Sequence, residues 1–72
     1  MIFLKMTGDL PVGRIIEQQR LKAHLTQRQL GQMLDVSAST VTRWEQGSRA
    51  PSLETFRKIL NLTGADIQVI ER

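Results

Sequence analysis

At 72 residues, with no cysteine and a single histidine, the chain is sized for one domain around one small core, and a disulfide framework, a zinc site and a thiol nucleophile are excluded. A core that small relies on close helix packing or on a second copy of the chain. The formal charge of +3 points to an anionic partner, and all of the excess lies mid-chain: from Arg20 to Lys58 there are seven basic residues (Arg20, Lys22, Arg28, Arg43, Arg49, Arg57, Lys58) against three acidic ones (Asp35, Glu45, Glu54).

Ile2 to Met6 is an apolar run interrupted by Lys5 and followed by Gly8. It reads as a short strand and is too short for a secretory h-region or a membrane span, so the chain is expected to be cytoplasmic. Pro11 suits the first position of a helix, where its missing N–H has no partner to lose, with Asp9 or Leu10 flanking it as the cap. That helix is expected to run to about Ala23. Thr26 with Gln29 three residues on forms a capping box, and Leu25 and Leu30 stand at the staple positions around it. A short second helix follows, with Leu30, Met33 and Leu34 on one side. Ser37 repeats the cap, with Val36 and Val41 as its staple, and the third helix should stop at Gly47, which is free to take a left-handed conformation. Pro51 and Ser52 open a fourth helix with Leu53, Phe56, Ile59, Leu60 and Leu62 on its apolar face, ending near Gly64. From Asp66 to Glu71 the β-branched, near-alternating pattern predicts a second short strand. Neither terminal strand can satisfy its own backbone, so each must pair, either with the other or with another molecule.

Thr26 to Gly47 is therefore two capped helices joined by Leu34, Asp35 and Val36, the geometry that holds a recognition helix in the DNA major groove. Gly31 falls where only a very small residue permits close approach. Leu34, Val41 and Trp44 point inward by their spacing, and Trp44 reads as core rather than as a stacking platform. The other side of the third helix carries Ser39, Thr42, Arg43 and Gln46 at helical spacing. Arg43 is suited to the paired acceptors of a guanine, Ser39 and Thr42 can bond to several bases, and Ala38 could touch a thymine methyl. Gln27 opens the second helix, where free backbone amides favour a phosphate, which carries no sequence information. Arg28 and Arg49 are further phosphate candidates, with Ser37, Gln46, Ser48 and the amides after Gly47; Arg57 and Lys58 are weaker ones. No nucleophile stands beside a usable base, His24 has no orienting carboxylate near it and no phosphate-binding glycine loop is present, so an enzyme is not expected and no cofactor or metal is implied.

The segment TQRQLGQMLDVSASTVTRWEQG, from Thr26 to Gly47, resembles the Cro and phage-repressor type of helix-turn-helix, also called the xenobiotic-response-element family. The likeness extends over about residues 11 to 63. It implies a mainly α fold of four or five helices resembling the lambda repressor domain, to which the pattern above adds short terminal β-strands at 2–6 and 66–71, the whole of 1–72 being one domain. It further implies a prokaryotic or phage-encoded transcription regulator that binds double-stranded DNA as a homodimer, with base contacts at Ala38, Ser39, Thr42 and Arg43, a backbone clamp at Gln27, and a structural ion pair between Arg20 and Glu45. Small antitoxins of the HipB type resemble the same domain with a terminal strand, so a second reading is an antitoxin that also neutralises a protein toxin; co-purification with a second protein separates the two. The chain departs from the family pattern at Asp35 and His24, which occupy positions where a glycine often ends a helix. Dimerisation is expected through Ile67, Val69 and Ile70 in a two-fold antiparallel ribbon, with room for the N-terminal strand at its edge; the competing arrangement pairs the tail with Ile2–Met6 of its own chain and leaves another surface to dimerise.

Overall fold

Val12–Lys22 (α1) begins one residue later than the proline rule suggests, because Pro11 stands just before the helix with its carbonyl accepting from the amide of Ile15 at 3.1 Å. The computed structural model describes the backbone of residues 2–6, 11–64 and 67–71 and the side chains of residues 11–64. The cap expected at Asp9 or Leu10 and the strand start at Asp66 lie outside the described residues. Gln27–Leu34 (α2), Ala38–Gln46 (α3) and Leu53–Leu62 (α4) follow. Ile2–Met6 (β1) and Ile67–Glu71 (β2) run parallel, with Ile2 opposite Ile67 and Met6 opposite Glu71. The described part is thus mainly α, with four helices.

The caps form as the residue types require. The hydroxyls of Thr26, Ser37 and Ser52 accept from the amides of Gln29, Thr40 and Thr55 at 3.0, 3.1 and 3.1 Å, and the Gln29 side chain accepts from the Thr26 amide at 2.8 Å, completing the box. At their far ends α1, α2 and α3 close in one way. The amides of Leu25, Val36 and Ser48 reach back to the carbonyls of Arg20, Gly31 and Arg43 at 3.0, 2.8 and 3.1 Å, each around a left-handed residue: His24 (φ 60°), Asp35 (φ 60°) and Gly47 (φ 82°). Two of these three are not glycine, and a side chain in that region costs about 1 to 2 kcal/mol. His24 is exposed and makes no side-chain bond to other described residues, so His24→Gly should raise stability by about 0.5 to 1 kcal/mol after the extra chain entropy of glycine is offset. A urea midpoint that stays put or falls would show that the backbone strain there is already relieved.

One core cluster joins the helices: Ile15 and Ile16 of α1, Leu30 of α2, Val41 and Trp44 of α3, and Phe56, Ile59 and Leu60 of α4, flanked by Val12, Leu25, Leu34 and Val36. Trp44 is only 7% exposed and belongs to this core. Three positions expected on apolar faces are not in it. Met33 is 48% exposed, Leu53 41% and Leu62 43%, since each lies at the edge of its helix's stripe, where the four short helices do not reach far enough to cover it. Gly31 is buried, and an added Cβ would meet the Val36 carbonyl oxygen at 2.7 Å and Ser37 backbone at 3.3 Å. The close approach expected there is therefore to the turn that leads into α3 rather than to the body of the crossing helix.

Candidate nucleic-acid interface

The turn between α2 and α3 is three residues, Asp35 to Ser37, and each end is locked by backbone chemistry: the left-handed Asp35 closes α2 and the Ser37 hydroxyl starts α3. With Val41 and Trp44 buried, the rotation of α3 about its axis is set. Ser39, Arg43 and Gln46 are then exposed, and Ala38 and Thr42 part-buried. A second glycine fixes the far end of the helix. An added Cβ on Gly13 would meet the carbonyl oxygens of Trp44 at 2.5 Å and Glu45 at 2.8 Å, so the start of α1 lies directly against the last turn of α3. Sequence reasoning passed over Gly13, although the signal that singled out Gly31, a glycine inside a helix with no cap to make, was there to be used.

A polar network ties the three helices together beneath this surface. Arg20 of α1 donates to Glu45 of α3 through Nε at 2.7 Å and Nη2 at 3.2 Å, and its Nη1 donates to the Leu25 carbonyl at 2.9 Å. The side chains are 11% and 3% exposed, so the ion pair is a buried one. The hydrogen bond to the Glu45 carboxylate raises the Arg20 pKa above its ordinary value, so the guanidinium keeps its charge at any working pH. The Glu45 carboxylate accepts a third bond, from Gln27 Nε2 at 3.1 Å, and Gln27 Oε1 in turn accepts from the Thr42 hydroxyl at 2.8 Å. The Thr42 hydroxyl also lies 3.0 Å from the Ala38 carbonyl oxygen. Neither link of Gln27 was foreseen, because residues 15 and 18 positions apart give no sequence signal for contact.

The remaining candidates surround α3. Ser37 spends its hydroxyl on the cap and on Thr40 Oγ1 at 3.0 Å, while Ser48 Oγ donates to the Arg43 carbonyl at 3.4 Å. Arg28, Arg43, Gln46 and Arg49 are exposed and carry no side-chain bond to other described residues, which leaves their donors available. At the start of α2 the Thr26 cap satisfies the third amide of the helix, so the amides of Gln27 and Arg28 remain as the open donors beside the Arg28 side chain. Dimerisation was placed at Ile67, Val69 and Ile70. The backbone of all three is in β2, and their side chains lie outside the described residues.

The arrangement is a short helix presented on a rigid frame, with small and hydrogen-bonding side chains on its outward face and arginines at both margins. Neither the curated proteins nor the solved structures contain a match to the chain. A family model described as helix-turn-helix matches residues 16–70, which takes in α2, the turn and α3 complete, and on that match the chain belongs to the Cro/C1-type helix-turn-helix family of DNA-binding transcription regulators.

Proposed function

We propose that this chain is a sequence-specific repressor that binds a palindromic operator as a homodimer and acts by occluding polymerase. The observation that carries the reading is the outward face of α3: Ser39, Thr42, Arg43 and Gln46 stand on one side of a helix whose opposite side is buried through Val41 and Trp44. Arg43 reads a base edge, with Ala38, Ser39 and Thr42 beside it. Gln27, Arg28, Ser37, Gln46, Ser48 and Arg49 meet the phosphates on either side. Selecting bound sites from random duplexes tests this directly. Arg43→Ala should lower affinity for the selected site by about 1 to 3 kcal/mol and relax preference at one base position, whereas Arg28→Ala should weaken specific and non-specific duplexes alike. An Arg43→Ala protein that selects an unchanged site would remove α3 as the reading element.

One helix covers only a few base pairs, so two copies about 34 to 36 Å apart on one face of the DNA are needed for useful specificity. In the proposal β2 supplies the dimer. With β1 along one edge of β2, the other edge pairs antiparallel with its two-fold mate, giving the strand order β1-β2-β2-β1 across two chains, and a four-stranded sheet is more stable than an isolated pair. Removing the residues after Gly64 should turn a dimer into a monomer in sedimentation and lower operator affinity while the helical spectrum persists. A truncated chain that still sediments as a dimer places the contact elsewhere. The antitoxin reading shares the DNA-binding surface and adds a protein toxin as partner; recovery of a stoichiometric second protein with the natively expressed chain would favour it.

A further inference from the structure

The network beneath α3 has a direction. An ionised carboxylate only accepts hydrogen bonds and a guanidinium only donates them, so the atom of Gln27 that faces Glu45 must be its amide nitrogen. The amide oxygen then faces Thr42, and an amide oxygen also only accepts. The single proton of the Thr42 hydroxyl must therefore go to Gln27 Oε1 at 2.8 Å or to the Ala38 carbonyl oxygen at 3.0 Å, both of them inside the protein. Either choice leaves Thr42 with lone pairs alone on its outer side. An ordinary threonine or serine can bond to any base, because its hydroxyl rotates to donate or accept. Ser39, exposed and without a side-chain bond to other described residues, keeps that freedom. Thr42 does not.

We propose that Thr42 reads only hydrogen-bond donors, so that α3 selects adenine or cytosine, the bases with an exocyclic amine on the major-groove edge, at the position Thr42 meets. Guanine and thymine offer acceptors there and leave the hydroxyl unpaired. Glu45 and Gln27 are positioning residues that reinforce this polarity, since the Ala38 carbonyl offers the same proton a second acceptor. Gln27, expected from sequence to hold a phosphate and nothing else, thereby also shapes base preference, while the second hydrogen of its amide nitrogen remains free for the DNA backbone. The inference rests on α3 being the helix that enters the groove.

The test uses the full chain and the site it selects from random duplexes. At one position adenine or cytosine should be preferred over guanine or thymine by about fivefold to tenfold, the worth of one hydrogen bond. Thr42→Val, which keeps the shape and removes the lone pairs, should abolish that preference, and Thr42→Ser should retain it. Replacing the selected base by its analogue lacking the exocyclic amine should weaken the native protein by the same factor and leave Thr42→Val unaffected. Gln27→Leu leaves the Ala38 carbonyl as the remaining acceptor for that proton among the described residues, so it should reduce the preference for adenine or cytosine without reversing it, on top of a uniform loss of affinity. If the preference removed by Thr42→Val is for guanine or thymine, or if deleting the amine changes nothing, the assigned polarity is wrong while DNA reading by α3 stands. A folded protein that selects no site at all overturns both.

Discussion

Glu45→Ala should destabilise the protein by about 3 kcal/mol, a large fraction of the roughly 4 to 11 kcal/mol expected for a chain of this length. The size follows from what the carboxylate holds. It accepts from Arg20 twice and from Gln27 once, and at 3% side-chain exposure there is little water to take its place. Removing it leaves the guanidinium in a buried site with the Leu25 carbonyl as its remaining hydrogen-bond acceptor among the described residues, and that poorly compensated charge is the main cost. For a small domain the loss corresponds to a fall in Tm of about 12 to 24 °C. The effect belongs to the broken pair rather than to the pair's net worth, so replacing both partners, as in Arg20→Met with Glu45→Leu, should cost less than the two single changes added together. Thermal unfolding of the four proteins measures the coupling. A coupling energy near zero would mean that the bridge contributes nothing beyond two independent side chains.

Gly13→Ala should destabilise by about 2 to 3 kcal/mol, although alanine is the better helix former, because both atoms in the way are backbone. The Trp44 and Glu45 carbonyl oxygens at 2.5 and 2.8 Å from the new methyl cannot rotate aside, so α1 must move away from the end of α3 and open the packing between them. Gly31→Ala meets the Val36 carbonyl oxygen at 2.7 Å and should behave alike, through the turn. Gly47→Ala is the contrasting case. Nothing lies within 4 Å of its added Cβ, but its φ of 82° leaves a backbone penalty of about 1 to 2 kcal/mol alone. Urea unfolding of the three variants separates crowding from strain. A Gly13→Ala protein as stable as the parent would show that α1 and α3 are not in close contact.

Much of the fold was legible because it is written in local chemistry. Thr26 with Gln29, Ser37, Ser52 and Gly47 bound their helices through bonds that span three or four residues, and such bonds depend on residue type and spacing alone. The outward face of α3 was legible for the same reason, since Val41 and Trp44 on one side leave Ser39, Thr42 and Arg43 on the other. Helical periodicity is less informative at the edges of a stripe. It put Met33, Leu53 and Leu62 with the core, and their exposure depends on whether a neighbouring element reaches that far.

What the sequence determined by itself is the set of short-range events: where helices begin and end, which side of each is apolar, and which residues are chemically able to meet DNA. The tertiary structure decided everything that depends on chain segments far apart in number. The buried setting of Arg20 and Glu45, the approach of Gly13 to the end of α3, and the bond from Gln27 to Thr42 all require α1, α2 and α3 to be already packed. A hydroxyl's choice between donating and accepting is invisible in a one-letter code. In the proposed reading the Thr42 hydroxyl is steered in part by a carboxylate two hydrogen bonds away, and that relation exists only after the three helices have met.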